Sequence, residues 1–347
     1  MDASPLRRAL SALANRHSLS ESQTAEVFGI VMSGDATPAQ IGGLLLGLRA
    51  KGETADELAG AARALRDAMV RVAATQPHLV DTCGTGGGTV PTFNISTVAA
   101  FVAAGAGAVV PKHGNRSFSS RCGSADVLEA LGVRIVLDAA SASRVLSEAG
   151  VVFLFAPSFH PAMKHVGPVR RELGTPTLMN LVGPLANPAG VKRQVIGVAE
   201  SDRAAIVAEA LVRLGAEHAL VVNGRVGMDE ISPQGITDVW EVKDGMVRKW
   251  EIDPARFRLG INDVAELEGG EPAANAERVE RILSNGGASS ADAAGLSAVL
   301  LNAGAAIYVA GIAGSLAEGI GRAREVVASG AARAALDRLR KATASIS

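Results

Sequence analysis

Two stretches decide the fold: Val80-Asp81-Thr82-Cys83-Gly84-Thr85-Gly86-Gly87-Gly88, and then Thr92-Phe93-Asn94-Ile95-Ser96-Thr97. They read as a strand, a glycine-rich loop and the start of an Ala-rich helix. Glycines let backbone N–H groups approach an anion, and a helix N-terminus adds unpaired donors and roughly half a positive charge. The order therefore predicts a phosphate-binding turn. The alternatives are a turn that only permits tight packing, and helix capping by Ser96 and Thr97.

A second stretch concentrates cations and hydroxyl groups: Lys112-His113-Gly114-Asn115-Arg116-Ser117-Phe118-Ser119-Ser120, with Ser124 shortly after it. It follows a short β-rich run that ends at Pro111, so we expect a loop. Charge-assisted hydrogen bonds are roughly twice as strong as neutral ones, and this composition suits a polyanionic ligand. The alternative is a solvated turn.

The first seventy-odd residues read as helices. Three pairs, Ser20 with Gln23, Thr37 with Gln40 and Thr54 with Glu57, repeat the S/T-x-x-E/Q pattern of a capping box. In that arrangement each side chain satisfies a backbone donor at the helix start. We therefore expect a small helical domain here.

From Leu79 onward, short β-rich runs alternate with Ala-rich helical stretches, which is typical of an α/β fold with a mostly parallel central sheet flanked by helices. The expected strands are 79–80, 109–110, 133–137, 151–155, 194–198 and 219–222, and the expected helices are 97–105, 123–131, 141–149, 202–214 and much of 291–341. Asp244-Gly245 predicts a hairpin turn. The predicted domains are a helical one, 1–74 with a returning segment near 162–190, and an α/β one, 75–161 with 191–347.

Composition excludes several classes of protein. The 347 residues carry 34 basic and 35 acidic side chains, a formal charge of -1, which argues against a nucleic-acid binder with a basic stripe. Cys83 and Cys122 are too few for a disulfide framework and suit a cytoplasmic protein. The start lacks a signal-peptide pattern, and Gly, Asn or Ser interrupt the apolar stretches near 97–111 and 296–313. We expect no membrane span.

The two stretches resemble the anthranilate phosphoribosyltransferases, whose Gly-Thr-Gly-Gly turn, Asn-Ile-Ser-Thr helix start and Lys-His-Gly-Asn-Arg loop correspond to 84–87, 94–97 and 112–116. The resemblance extends to 159–162, 180–185 and 302–306. It implies a magnesium-dependent enzyme that transfers the phosphoribosyl group of 5-phosphoribosyl-1-pyrophosphate (PRPP) to the amine of anthranilate. The reaction releases pyrophosphate and is a step in the synthesis of tryptophan.

The resemblance also implies a set of site residues. Those expected to bind PRPP are Gly84, Gly87, Gly88, Thr92, Asn94, Ile95, Ser96, Thr97, Lys112, His113, Gly114, Asn115, Arg116, Ser117, Phe118, Ser119, Ser120 and Ser124. Those expected to bind anthranilate are Gly84, His113, Asn115, His160 and Arg170. The expected magnesium ligands are Ser96, Asp229 and Glu230.

Chemistry is consistent with these roles. Adjacent carboxylates can share Mg²⁺, although an acidic pair is more often a solvated turn. A planar guanidinium such as Arg170 suits the carboxylate of anthranilate, whereas its neighbour Arg171 is expected at the surface. The anthranilate amine is neutral and nucleophilic as it stands, so no general base is assigned and His113 is only a weak candidate. The family usually has Asp where this chain has Gly88, so we expect weaker occupancy of one metal site.

Three competing interpretations are weaker. A pyrimidine nucleoside phosphorylase would carry a Lys-His-Ser-Thr-Gly-Gly loop, which 112–117 lacks. A non-catalytic nucleic-acid-binding relative should be basic and should have lost Asp229-Glu230. A structural helical-dimer module would not need the full set of motifs. In the family the helical domain forms a homodimer, and the apolar faces of 21–50 could supply that interface or simply be internal core.

Overall fold

The computed structural model describes residues 4–117, 121–284 and 289–346. Phe118, Ser119 and Ser120, predicted to bind PRPP, lie outside the described residues. The N-terminal region is helical, with α1 Pro5–Ala14, α2 Glu21–Ser33, α3 Pro38–Lys51 and α4 Ala55–Ala68. All three predicted capping boxes are confirmed, at the starts of α2, α3 and α4, with both reciprocal hydrogen bonds present in each.

The described residues include the strands β1 Asp81–Gly84, β2 Val110–Gly114, β3 Val151–Phe155, β4 Arg193–Gly197, β5 His218–Gly224, β6 Thr237–Lys243 and β7 Met246–Ile252. Five pair in the order β1-β4-β5-β6-β7, and β2 pairs with β3. A parallel bridge between Leu79 and Val109 joins the two groups. The run β3-β2-β1-β4-β5 is parallel, whereas β6 and β7 pair in antiparallel fashion, which confirms the predicted fold class.

The predicted hairpin is confirmed between β6 and β7. Its two turn residues, Asp244 and Gly245, have φ of 53° and 73°. Positive φ at both central positions is the requirement of a type I′ turn, whose twist matches that of the strands.

Helices follow or flank most strands: α5 Ile95–Gly105, α6 Ser124–Ala130, α7 Ala139–Ala149, α8 Ala156–Phe159, α9 Met163–Leu173, α10 Met179–Val182, α11 Ser201–Arg213, α12 Pro272–Leu283, α13 Ser290–Val309, α14 Leu316–Ala328 and α15 Ala331–Ala344. Short 3-10 turns occur at Gly183–Leu185, Pro254–Phe257 and Val264–Leu267. The expected helical stretches are thus confirmed, with ends shifted by a few residues.

Three expectations about strands are wrong. At the expected strand 79–80, Leu79 forms only an isolated bridge, and the strand begins at Asp81. Residues 133–137 alternate buried and exposed side chains as a strand would, but they form no strand, and the N–H of Arg134 instead donates to the Thr343 hydroxyl at 3.4 Å. Lys112, His113 and Gly114, expected on a loop after Pro111, are the end of β2. Pro111 is tolerated there although proline supplies no N–H to a ladder, and its carbonyl accepts a hydrogen bond from the Asn187 amide at 2.8 Å.

Two hydrophobic clusters lie on opposite faces of the sheet. One includes α5, α13 and α15 with inward residues of β2 to β5. The other joins the N-terminal helices, α9, α10 and α11 to the opposite face of β4 and β5, through residues such as Ile196 and Val221. The N-terminal helices therefore share an apolar core with the sheet, and the chain between 161 and 190 contacts α2, α3 and α4.

One helix among the described residues, Ser290–Val309, is long and apolar enough to cross a membrane by length and composition. It runs unbroken through the small and polar residues that were expected to interrupt it. In this fold 78% of its most apolar window is buried. A core helix meets the same criterion, so the observation carries no membrane assignment.

Helices α13 and α14 approach each other through glycine. A Cβ added at Gly319 would lie 2.2 Å from the carbonyl oxygen of Gly304. We predict that Gly319→Ala lowers the free energy of unfolding by about 1–3 kcal/mol because the helices must separate. Urea unfolding followed by circular dichroism measures the change.

Gly321 on the same helix is the matched control, because a Cβ there would meet nothing within 4 Å. Gly321→Ala should be neutral or stabilise the fold by up to about 1 kcal/mol, the usual helix preference for alanine. Equal effects of the two substitutions would contradict the packing argument.

Candidate active site

The site lies where the carboxyl ends of the parallel strands meet. Strand β1 lies between β2 on one side and β4 on the other. Strands β2 to β5, which follow β1 in the chain, are therefore added first on one side of it and then on the other, while all of them stay parallel. In open α/β sheets such a switch point creates a crevice outside the strand ends, where ligands bind. The glycine-rich turn leaves β1 here, and the loop after β5 brings Asp229 and Glu230 to the same edge.

The acidic pair contacts the turn and the helix start directly. The N–H of Gly86 donates to Asp229 Oδ2 at 2.8 Å, and the N–H of Ser96 donates to Glu230 Oε1 at 3.1 Å. A further backbone hydrogen bond, from Thr89 to the carbonyl of Gly227 at 2.9 Å, holds the two loops together. The structure thus brings together the three expected magnesium ligands, although Ser96 is 133 residues from the acidic pair in the sequence.

Glycines make this close approach feasible. A Cβ on Gly84 would lie 2.7 Å from Asp229 Oδ2, and one on Gly197 would lie 1.5 Å from the Asp229 carbonyl oxygen. The sequence reasoning missed Gly197; a glycine at the end of an otherwise apolar strand was the available signal. At Gly88 a Cβ would lie 2.9 Å from the Gly227 carbonyl oxygen, so an aspartate there would require that backbone to move.

Burial controls the charge of the two carboxyl groups. It raises the pKa of Asp229, and it raises the pKa of Glu230 well above its usual range, with the Asp229 charge adding to the shift. Glu230 Oε2 is buried and has no hydrogen-bond partner among the described residues. An orphaned carboxylate oxygen next to a second carboxylate is stabilised by a cation.

The donor set fits magnesium. Asp229, Glu230 and Ser96 line a small cavity of about 10 Å³, roughly the room that one water molecule needs. Within the described ranges, three or more His, Cys, Asp or Glu side chains nowhere gather into a metal cluster. Mg²⁺ prefers oxygen ligands and is commonly bound by one or two carboxylates together with substrate phosphates and waters. An acidic pair with one hydroxyl is sufficient for that mode of binding.

Lys112 lies beneath the turn rather than on a loop. Its ammonium donates to the Thr82 carbonyl at 2.5 Å and to the Ser96 hydroxyl at 3.2 Å, and the residue is buried. Burial lowers the pKa of Lys112, while the nearby acidic groups, first of all Asp81, oppose that shift. Lys112 therefore places a positive charge directly under the helix start.

Two further residues that the sequence reasoning missed fix the strand ends. The Asp81 carboxylate is fully buried and accepts from the His113 N–H at 3.2 Å and from the Asn187 amide at 2.8 Å. The same Asn187 amide also donates to Pro111, which ties β1 and β2 to the segment that returns from the helices. A buried acid at a strand start was the only signal for Asp81, and none marked Asn187.

His113 and His160 form a buried pair whose Nε2 atoms lie 3.2 Å apart. Burial lowers the pKa of His113 to about 3, with the His160 ring adding to the shift, and burial lowers the pKa of His160 to about 4. Both rings are therefore neutral near pH 7. A base with so low a pKa is poorly matched to proton abstraction at that pH, which agrees with assigning no general base.

Several predicted PRPP residues have structural partners. The Asn94 side chain donates to the Cys122 carbonyl at 3.1 Å and accepts from Asn275 at 3.0 Å. Ile95 and Thr97 are buried under the helix start, and Thr92 bridges to Glu268. At Gly87, φ of 82° requires glycine for the turn.

The end of β2 and the start of α6 also meet. The Ser124 hydroxyl donates to the Asn115 carbonyl at 3.2 Å, and a Cβ on Gly114 would lie 2.4 Å from that hydroxyl. Arg116 forms ion pairs with Asp126 at 2.7 Å and Glu129 at 2.6 Å, so its charge is compensated here. The N–H of Ser117 also donates to Asp126, at 3.3 Å.

Arg170 lies on α9, and its guanidinium makes few polar contacts with the described part of the chain. Its guanidinium donates to Asn180 Oδ1 at 3.5 Å, and within the described chain it has no ion pair with a carboxylate. Burial lowers the pKa of Arg170. The neighbour Arg171 is exposed, as expected. A half-buried guanidinium without a counter-charge suits a carboxylate ligand.

Comparison with known proteins matches the chain to two family models. Residues 76–333 match the model of the glycosyl transferase family, a/b domain, and residues 7–69 match the helical bundle domain of that family. The anthranilate phosphoribosyltransferase of Laribacter hongkongensis is 49% identical over 96% of both chains. The chain belongs to the anthranilate phosphoribosyltransferase family. This confirms the resemblance seen in the sequence.

Solved structures of the family share the fold. The anthranilate phosphoribosyltransferase of Thermus thermophilus has a TM-score of 0.91 and 42% identity, covering 97% of this chain and 99% of that one. The enzyme of Saccharomyces cerevisiae in complex with PRPP and Mg has a TM-score of 0.90 and 27% identity, covering 99% of both chains. The family fold thus extends over nearly the whole chain.

The histidine pair predicts a pH dependence of stability. Because both pKa values lie below the ordinary value of about 6.5, the unfolded chain binds protons that the folded chain does not. The contribution of the neutral rings is complete above about pH 6.5 and is lost as the pH falls towards the folded-state values, with a slope of up to about 1.4 kcal/mol per pH unit for each ring.

Urea unfolding between about pH 4.5 and 7 measures this slope. His160→Gln should flatten it, whereas His17→Gln, which changes an exposed histidine, should leave it as in the parent chain. A slope that His160→Gln does not change would show that the pair is not the source.

Proposed function

We propose that the chain transfers the 5-phosphoribosyl group of PRPP to the amine of anthranilate, giving N-(5-phosphoribosyl)anthranilate and pyrophosphate, with Mg²⁺ as cofactor. The observation that carries this proposal is the contact of Asp229 and Glu230 with the N–H groups of Gly86 and Ser96. Oxygen ligands for a divalent cation and donors for a diphosphate are thereby placed within one crevice.

The turn binds and orients the diphosphate. The N–H groups of Gly86 and Ser96, which pair here with carboxylates, are donors that phosphate oxygens can use. Lys112 beneath the helix start and the neighbouring residues of the predicted PRPP set add charge and hydrogen bonds. Bound Mg²⁺ neutralises the charge that develops on the departing pyrophosphate and allows carboxylates and phosphates to share the crevice.

On the other side of the reacting centre, we propose that Arg170 binds the carboxylate of anthranilate in a planar, bidentate way, with Asn115, Gly84 and the histidine pair lining the approach. The amine needs no proton removed before attack, because it is neutral near pH 7. Positioning of the two reactants and stabilisation of the leaving group are then the main sources of acceleration.

The same proposal covers the setting of the enzyme. We infer a cytoplasmic homodimer formed through the helical domain, with 1–74 and the segment near 162–190 as that domain, and no nucleic-acid or membrane partner. Leu46 on α3, a large apolar residue that is 48% exposed, lies within the 21–50 stretch that we propose for the interface. The near-neutral charge and the retained Asp229-Glu230 pair disfavour a nucleic-acid-binding role.

The activity is tested by the loss of anthranilate fluorescence when the protein is mixed with PRPP and Mg²⁺. We expect turnover that is abolished by EDTA and restored by Mg²⁺. Glu230→Gln should reduce the activity or the metal affinity roughly 10–100-fold, since one carboxylate of the pair is lost.

Asp244→Asn, in the hairpin turn at the opposite end of the sheet, is the control for that substitution and should retain full activity. A wild-type chain that leaves anthranilate unchanged under these conditions would disprove the proposed function.

Substitution of Arg170 tests the anthranilate site, and the adjacent Arg171 provides the control. Arg170→Lys keeps the charge but loses the planar fork, and we expect it to raise the KM for anthranilate about tenfold or more while the KM for PRPP changes little. Arg171→Lys should leave both KM values as they are. Steady-state kinetics with each substrate varied in turn measures the difference, and equal behaviour of the two variants would refute the assignment.

A further inference from the structure

The glycine-rich turn is fastened to the chain that leaves β4. The N–H of Thr85 donates to the Gly197 carbonyl at 2.9 Å, and the N–H of Ala199 donates to the Thr85 hydroxyl at 3.3 Å. The Asn223 amide fixes the same stretch by donating to the carbonyls of Val198 and Ala199 at 2.8 and 3.0 Å. The position of the turn therefore follows the position of residues 197–199.

The next residue, Glu200, belongs to a closed ring of four charges that reaches the N-terminal helices. Arg203 on α11 donates to Glu53 at 2.5 Å and to Glu200 at 3.2 Å. Arg49 on α3 completes the ring, donating to Glu200 at 3.1 Å and lying 3.9 Å from Glu53. Two of the charges thus come from the helical side and two from the α/β side.

The ring is only partly buried. The side chains of Arg203 and Glu53 are 3% and 4% exposed, whereas Glu200 is 41% exposed. A buried ion pair carries a large desolvation cost and contributes little net stability, so packing alone does not explain its presence. Its geometry is specific: it fixes the first turn of α11 against the end of α3, and Glu200 is next in the chain to Ala199.

We propose that Glu200, Arg203, Glu53 and Arg49 form a positioning network that couples the helical domain to the diphosphate-binding turn. The inference rests on the proposed function, and it adds residues that touch neither substrate. The network acts through Ala199 and Thr85: it sets where the turn lies and therefore how well its N–H groups meet the diphosphate. Displacement of the helical domain is transmitted to the turn by the same route.

Glu200→Gln is the principal test, because this half-exposed residue can lose its charge without leaving a buried cation alone. We expect the KM for PRPP to rise about 3- to 10-fold, with kcat and the KM for anthranilate within about twofold of wild type. Calorimetric titration with magnesium pyrophosphate should show the same loss of affinity without any catalysis.

Asp56→Asn is the matched control. Asp56 on α4 pairs with Arg213 on α11 at 2.5 Å, so it also joins the helical side to α11, but it lies in an exposed pair at the far end of that helix. This variant should leave the affinity for magnesium pyrophosphate unchanged. If the ring serves stability alone, Glu200→Gln will have a lower melting temperature than wild type but the same affinity for magnesium pyrophosphate. That result would overturn the proposal.

Glu53→Gln extends the test if it folds, with the same expected loss of affinity; if it does not, Glu200→Gln decides. The two proposals fail in different ways. A wild-type chain that binds magnesium pyrophosphate but leaves anthranilate unchanged disproves the proposed function. Turnover by the wild type together with wild-type affinity in Glu200→Gln disproves the positioning network alone.

Discussion

Two hydrogen bonds organise the site: the N–H of Gly86 to Asp229, and the N–H of Ser96 to Glu230. Each joins a donor suited to an anionic ligand with a carboxylate suited to a cation. The two kinds of group satisfy each other, although imperfectly, since Glu230 Oε2 has no partner in the described chain. The site is therefore held in shape by the same groups that we propose bind magnesium and diphosphate, and binding exchanges one set of partners for another.

The parallel sheet makes these contacts feasible. Strand β1 delivers the turn and β5 delivers the acidic loop, with β4 between them ending in Gly197. Any side chain at Gly197 would collide with the Asp229 backbone, so the acidic loop depends on a residue that carries no functional group. Lys112 and Asp81 lie in the layer beneath, buried in the strands rather than in loops. The charges of Lys112 and Asp81, which the strands hold in place, therefore lie directly beneath the residues that line the crevice.

Local signals in the sequence predicted the parts of the molecule that depend on local physics. The capping boxes and the Asp244-Gly245 turn are satisfied within a few residues, so their patterns suffice. The prediction of a strand at 133–137 was wrong. Alternating apolar and polar residues indicate which side chains are buried, whereas a strand also needs hydrogen bonds to a neighbouring strand. Asn187 and Arg203 were missed because each acts on residues distant in sequence, and a single sequence carries no sign of such contacts. The resemblance, by contrast, pointed to Asp229 and Glu230 because it carries position as well as residue type.

The distribution of charge explains why the site needs no general base. His113 and His160, whose buried rings contact each other, are neutral near pH 7, and the pKa of each ring is too low for it to accept a proton efficiently at that pH. What the crevice does contain is opposed charge at close range: the carboxyl groups of Asp229 and Glu230, and the Lys112 ammonium that contacts the Ser96 hydroxyl beside them. Such an arrangement is costly for the folded chain by itself, because buried charges lose hydration. The same arrangement becomes favourable when a cation and a diphosphate complete it, and an enzyme whose chemistry is the departure of pyrophosphate gains its rate by stabilising that charge.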